Sequence, residues 1–374
     1  MKILILLNSI FGKRGNIGYR TKELIKNTQI NEYILICRDT HLRFKNTTIY
    51  KNKFFGHIPR ILNAARIYLF PKFNHRFLDI YIFEKICNFF LKQHQLNSHI
   101  YHFWEYAPSV MKGISQKGGK IILDIPIATS NYIKFLNNTQ NLNLQYSKKF
   151  EGIEKRSIEL ADKIIVPSQF IKDIVSVLVP KKINDIHVVP FGVDVTKFKP
   201  SEKMLEEPKF CFAGNISRRK GSDILIEIFK KKKFQKYDLS LYGRAYPEIN
   251  LKNITSNIHN KGFVNVAKEL NRNSIYIFPS WMEGSSKSIY EAMAAGLIVI
   301  CSNESGSIVK NGVTGFTYDA SDIEGLEKII DYVIKNYNNL GKIRLKAIES
   351  ANKFSWRRYA NNVNEIYREL NEYK

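Results

Sequence analysis

The stretch Phe278-Pro279-Ser280-Trp281-Met282-Glu283-Gly284-Ser285-Ser286-Lys287-Ser288-Ile289-Tyr290-Glu291-Ala292-Met293-Ala294-Ala295-Gly296 decides the fold. A β-branched and aromatic run over 274–278 stops at Pro279, a loop of small residues follows, and a helix runs from about Lys287 to Ala295. A second strand over 298–301 comes next. Strand, loop, helix, strand is the repeating unit of a parallel sheet covered by helices. In such sheets ligands gather beyond the carboxyl ends of the strands, so the loop carrying Glu283 is the place to look for chemistry.

Working outward, the same alternation recurs on both sides. Before the quoted stretch, strands are expected over 209–213 and 239–242 with a helix over 223–231 between them; two closing helices follow from about Asp322. In the first half, strands are expected over 2–7, 33–37, 100–103, 120–124 and 163–167. The polar, proline-containing stretch 199–208 lacks periodicity and reads as a linker. The chain of 374 residues is long enough for two domains of ordinary size. The expected division is a first Rossmann-like domain over 1–198, a linker over 199–208, a second Rossmann-like domain over 209–352 and a terminal helix over 353–374.

Composition narrows the class. The chain is 44% hydrophobic and 25% charged, a globular balance that excludes collagen, coiled coil and disordered protein. Its four cysteines (Cys37, Cys87, Cys211, Cys301) are scattered, with no C-x-x-C pair, which argues against a zinc site or a disulfide scaffold. The apolar start Ile3–Leu7 is too short for a signal peptide and no span suits a membrane helix, so a cytoplasmic protein is expected. The formal charge is +24, and residues 1–200 hold 31 basic against 14 acidic residues. That excess suits an anionic partner, although a Lys/Asn/Ile-rich composition would give the same number.

Two segments in the second half carry the chemistry. In Phe212-Ala213-Gly214-Asn215-Ile216-Ser217-Arg218-Arg219-Lys220-Gly221-Ser222-Asp223 the glycines allow close backbone approach and three cations gather beside a helix start, an arrangement suited to a diphosphate. A solvated basic turn would read the same way. In the quoted stretch Glu283 lies in the loop and Glu291 in the helix; carboxylates are acceptors that grip sugar diols, while the loop N–H groups suit hydroxyl or phosphate oxygens. Glu291 as a helix-surface acid and Ser285-Ser286 as an N-cap is the plainer alternative.

Together these residues resemble the retaining nucleotide-sugar glycosyltransferases of family four, which have the GT-B fold. Glu283 and Glu291 match the family's Glu-(seven residues)-Glu element, and Arg219, Lys220 and Gly221 its phosphate-binding Arg and Lys-Gly. Ile165-Val166-Pro167-Ser168-Gln169-Phe170, Val188-Val189-Pro190-Phe191-Gly192-Val193-Asp194, Asn311-Gly312-Val313-Thr314-Gly315-Phe316 and Phe354-Ser355-Trp356 are similar to further family segments in the same order. The likeness runs from about residue 160 to the end. Asn215, Ser307 and Phe191 depart from the family's usual Arg, Glu and Asn.

The resemblance implies two doubly wound domains facing a central cleft, with the terminal helix packed back on the first. It implies a hexose-type sugar moved, with retention, from a nucleoside-diphosphate donor to a lipid-linked or oligosaccharide acceptor of bacterial surface polysaccharide, without metal or other cofactor. Arg219, Lys220 and Glu283 are the implied catalytic set, with His102 near the transferred sugar and Glu105 beside it. Gly214, Gly243, Phe263, Val264, Gly284, Ser285, Ser286, Ser288, Ile289 and Glu291 are the implied donor contacts. The loop Gly12-Lys13-Arg14-Gly15-Asn16-Ile17-Gly18 fails the G-x-G-x-x-G dinucleotide pattern but is similar to the family's phosphate-closing loop, which brings in Gly15 and Gly18.

Residues 41–93 stand apart, with ten basic residues against two acids and aromatics interleaved. Basic and aromatic side chains on one helix suit an anionic membrane surface, with Arg60, Arg66, Lys72 and Arg76 as candidate contacts. Nucleic acid is not expected, because no recognition-helix, RRM or zinc-finger pattern is present. A nucleotide-sugar epimerase on the same fold and a non-catalytic binding module are the two rival readings.

Overall fold

The computed structural model describes residues 1–13, 17–51 and 76–372. The chain divides into two compact units, one of residues Met1–Val189 with Trp356–Lys374, the other Pro190–Ser355.

The first unit is built on a seven-stranded sheet: β1 (Lys2–Ile10), β2 (Glu32–Asp39), β3 (Thr47–Lys51), β4 (Ile100–Phe103), β5 (Lys120–Asp124), β6 (Lys163–Val166) and β7 (Ile186–Val188). Its order is β3-β2-β1-β4-β5-β6-β7, every pairing parallel. The inner strands read as unbroken apolar runs because helices cover both faces; Ile3 to Leu7 are wholly buried. The helices described are α1 (Ile17–Lys26), α2 (Arg76–Gln93), α3 (Pro108–Ser115), α4 (Ser130–Gln140), α5 (Lys148–Leu160) and α6 (Gln169–Leu178).

The second unit carries a six-stranded parallel sheet of order β10-β9-β8-β11-β12-β13, from β8 (Phe210–Ala213), β9 (Leu239–Tyr242), β10 (Ile258–Gly262), β11 (Ile275–Phe278), β12 (Ile298–Ser302) and β13 (Phe316–Tyr318). Its helices are α7 (Ser222–Lys230), α8 (Val266–Glu269), α9 (Lys287–Ala294), α10 (Ile323–Lys335) and α11 (Gly341–Asn352). In each sheet the order reverses once, between β1 and β4 and between β8 and β11, and these switch points are where crevices open at the strand ends.

The last helix, α12 (Trp356–Glu372), belongs to the first unit. Trp356 sets its ring edge-on to Tyr19 of α1 at 5.7 Å, the Thr28 hydroxyl donates to Asn364 at 2.7 Å, and the Leu370 carbonyl lies 3.3 Å from His99 Nε2. All four cysteines are free and buried. Among the described residues no helix is long and apolar enough to cross a membrane.

The expected linker is different in the structure. Residues 190–208 lie with the second unit, where Val195, Phe198 and Met204 pack on its core and the Val193 N–H donates to the Phe354 carbonyl at 3.0 Å. Arg344 ties the polar part down, donating to the carbonyls of Ser201 and Gly296, and the Tyr337 hydroxyl donates to Leu205 O at 3.0 Å. A composition without periodicity here marks a strap whose backbone carbonyls are taken up by side chains of the second unit.

Candidate functional site

The switch point of the second sheet brings the two singled-out segments together. The chain leaves β8 at Ala213, makes a single 3-10 turn over Arg218–Lys220 and enters α7; it leaves β11 at Phe278 and reaches α9 through residues 279–286. Two hydrogen bonds stitch the loops: the Trp281 N–H donates to Arg219 O at 3.0 Å, and the Arg219 guanidinium Nη1 donates to Met282 O at 2.5 Å. Gly221 is required at the crossing, since a Cβ there would lie 2.0 Å from Pro279 O and its φ is +68°.

Three charged side chains meet inside this join. Glu283 Oε1 lies 3.0 Å from Arg219 NH1 and 3.2 Å from Lys220 Nζ. Lys220 also sits 5.0 Å over the Phe278 ring, a support with no local signal, because Phe278 reads as an ordinary strand residue. Burial pushes the Glu283 carboxyl up, but Lys220 and Arg219 outweigh it and hold it below the usual carboxylate range. Its main chain is fixed as well, with Glu283 N–H donating to Glu304 O at 2.9 Å, while the Glu304 carboxylate accepts from Ala320 N–H. Glu304 is a further supporting residue that no motif pointed to.

The helix that follows starts open. Ser286 is the N-cap residue of α9, yet its hydroxyl turns to Ser288 Oγ at 3.2 Å and makes no cap bond. Ser285 is buried and bonds Tyr290 OH at 2.8 Å, and Gly284 is buried beside it. Glu291 pairs with Lys287 at 2.7 Å; burial raises its carboxyl above the usual range while Lys287 opposes the rise. Ile289 departs from expectation: its N–H already donates to Ser286 O at 3.1 Å and its side chain is wholly in the core, so it does not present a free donor.

Gly214 and Gly243 lie where the β8 and β9 loops touch. A Cβ on Gly243 would lie 1.8 Å from Gly214 O, and Gly243 N–H donates to Gly262 O at 2.7 Å. At the end of β10, Phe263 is 95% exposed and Val264 packs partly on the core.

Other expected residues lie elsewhere. Gly15, Arg60, Arg66 and Lys72 fall outside the described residues. Gly18 opens α1, its carbonyl accepting from Gly12 N–H at 2.9 Å. His102 is corrected: it is 0% exposed on β4, roofed by α12, with Nδ1 2.7 Å from the Tyr367 hydroxyl and its ring stacked on Trp104. The ring is enclosed in the core of the first unit rather than open at the strand end. Arg76 is corrected too. Its guanidinium bonds Asp79 at 3.1 Å and Glu105 at 2.6 Å, in a network where Arg38 reaches Asn8 and Asp79 and Asn8 reaches Glu105. This knot anchors the start of α2 and pairs the Arg76 charge with two buried carboxylates, while its side chain stays 41% exposed.

The sequence profile described as "Glycosyl transferases group 1" matches residues 194–354, the segment that holds this whole site. Over that segment the chain is similar to the glycosyl transferases group 1. An uncharacterized glycosyltransferase of Haemophilus influenzae is 30% identical over 151 residues, 37% of this chain and 43% of that protein. The capsular polysaccharide biosynthesis glycosyltransferase CapM of Staphylococcus aureus is 25% identical over 286 residues, 68% of this chain and 74% of CapM. Among solved structures, Anabaena HepE in complex with UDP superposes with a TM-score of 0.66 at 15% identity, covering 99% of this chain and 100% of HepE. The two parallel-sheet units are those of the GT-B fold.

Proposed function

We propose that this protein is a glycosyltransferase that moves a hexose-type sugar, with retention, from a nucleoside diphosphate to a lipid-linked or oligosaccharide acceptor of surface polysaccharide. The observation that carries the reading is the meeting of Arg219 and Lys220 with Glu283 at the switch point of the second sheet. Breaking the bond between the anomeric carbon and the diphosphate builds negative charge on the leaving oxygen. Two cations already held there stabilise that charge where it develops, so the reading needs no divalent metal.

The other residues fall into place around this centre. The uncapped first turn of α9, with Ser286 and Ser288, offers N–H and hydroxyl groups to the phosphates. Glu283 accepts from sugar hydroxyls, Glu291 from the ribose diol, and Phe263 with Val264 forms the edge against the base. In the retaining reaction the acceptor oxygen attacks from the face the diphosphate leaves, and the departing phosphate takes the acceptor proton. That HepE was solved with UDP and with UDP-glucose, and that CapM is a capsular polysaccharide enzyme, favours this donor and acceptor class.

The acceptor side of the reading rests on α2. Tyr81 and Phe89 are each 54% exposed, and Lys85 and Lys92 are exposed beside them, one or two turns apart on a single helix face. Aromatic rings interleaved with lysines suit the surface of an anionic membrane, where a lipid-linked acceptor would lie.

A thermal-shift screen against UDP, GDP, ADP, CMP and their sugar conjugates tests the donor half. A ligand at about 100 times its Kd adds roughly 2.7 kcal/mol of stability. A selective shift that shrinks in Lys220→Ala supports the reading; no shift with any of them refutes it.

A further inference from the structure

We infer that Glu283 makes the site prefer the sugar-bearing donor over the free nucleoside diphosphate, and so speeds product departure. The inference rests on the donor site proposed above and adds a discriminating role to one residue in it.

The geometry is specific. One carboxylate oxygen bridges both cations that a diphosphate would use, at 3.0 Å to Arg219 NH1 and 3.2 Å to Lys220 Nζ, and the side chain is 17% exposed. The carboxylate therefore stands in for a phosphate oxygen when the site is empty. The main chain that carries it is held in place. Its own N–H is bound to Glu304 O at 2.9 Å, and the preceding carbonyl, Met282 O, is held by Arg219 at 2.5 Å. A ligand whose phosphate reaches the two cations must therefore coexist with an ionised carboxylate carried on an anchored main chain beside them.

The two ligands meet this anion differently. A free nucleoside diphosphate ends in a phosphate with an ionisable terminal oxygen and no hydroxyl beyond it. It takes the cations from Glu283 and leaves a carboxylate that only accepts, without a donor and beside a like charge. A nucleoside-diphosphate sugar has that terminal oxygen esterified, which removes one negative charge, and brings a ring of hydroxyl donors to the same place. The carboxylate trades its cation contacts for hydroxyl contacts and stays satisfied. Specificity is then a difference of two affinities in which repulsion of the wrong ligand does part of the selecting. After transfer the sugar is gone, the product is the disfavoured ligand, and Glu283 recovers its cations as the nucleotide leaves.

The test is isothermal titration of the full chain and of Glu283→Gln with UDP and UDP-glucose, repeated with GDP and GDP-mannose. The expected result is a ratio of Kd for the free nucleotide to Kd for its sugar conjugate that falls at least tenfold in Glu283→Gln, with the free nucleotide binding more tightly than to the parent. Product inhibition by the same nucleotide should strengthen in parallel. Glu283→Ala, which also removes the anion, guards against a folding defect and should shift the ratio the same way. An unchanged ratio in a folded variant, or weaker binding of the free nucleotide, overturns the inference while leaving the donor site standing. If the parent binds none of the four ligands, the donor site fails and the inference falls with it.

Discussion

Lys220 holds its ammonium 3.2 Å from Glu283 Oε1 while lying 5.0 Å over the ring of Phe278. The lysine is thus fixed from two sides before any ligand arrives. A preset cation contributes most where charge appears only during the reaction, because no reorganisation is left to perform. Removing it should therefore lower turnover more than it weakens binding.

Lys220→Ala and Arg219→Ala are each expected to cut turnover about 10²-fold or more, on the order of 3 kcal/mol. Initial rates at saturating donor check this. A variant that keeps near-normal turnover removes the phosphate role from that residue.

Gly243 and Gly262 separate crowding from backbone strain. Both have positive φ, +144° and +63°, but a Cβ on Gly243 would lie 1.8 Å from Gly214 O whereas nothing lies within 4 Å of one on Gly262. Gly262→Ala should cost about 1 kcal/mol from conformation alone. Gly243→Ala must also push the β8 loop that leads to the cations, so it should cost more than 2 kcal/mol, the range of overpacked sites, and weaken nucleotide binding. Urea unfolding midpoints compare the two, and equal losses would show that the contact between the β8 and β9 loops is slack.

How far the sequence disclosed all this follows from where each signal comes from. Strands in the middle of a sheet are buried on both faces, so β1, β8 and β11 announce themselves as apolar runs. The strands without a clear signal are β3, β10 and β13, each at a sheet edge; in β3, Thr47 to Lys51, no residue is buried. An edge strand forms because a neighbour offers hydrogen bonds, which no local pattern records. The loop residues were legible because Gly221, Lys220 and Glu283 stand in a spacing tied to chemistry. Supports such as Phe278 and Glu304 were not, since their role comes from a partner tens of residues away. His102 and Arg76 read differently for the opposite reason: a histidine after a strand and an arginine among aromatics look functional until α12 is seen to cover the first and Asp79 and Glu105 to pair with the second.

The exposed face of α2 gives the acceptor reading a direct check. Replacing Tyr81 and Phe89 with Ser should sharply reduce sedimentation with vesicles containing an anionic lipid, and removing the charges of Lys85 and Lys92 should lower it further by about 1 kcal/mol each at low salt. Arg76→Gln should leave vesicle binding unchanged and instead lower stability, because it strands Asp79 and Glu105. If the parent chain does not sediment with such vesicles, the membrane role of this face is refuted.

The buried pair His102 and Asp124 predicts a pH profile. Their side chains lie 3.9 Å apart, Nε2 to Oδ2, beneath α12, and the Tyr359 hydroxyl reaches Asp124 at 3.4 Å. Burial holds His102 down to about 3 from an ordinary 6.5. Burial also pushes Asp124 up to about 8 from 3.8, against the pull of Arg20. Between those two values the native pair keeps one proton, on the aspartic acid. The unfolded pair also holds one between 3.8 and 6.5, on the histidine, so stability there should be flat. Above 6.5 the unfolded chain has released its proton while the native pair has not, so stability should fall as pH rises to about 8, by roughly 2 kcal/mol. Asp124→Asn leaves only the histidine, neutral when folded and charged when unfolded below 6.5, so the variant should lose the decline above 6.5 and gain one below it. Denaturant midpoints of both proteins from pH 5 to 8 decide the matter, and parallel profiles would mean that Asp124 ionises in the native core as it does in water.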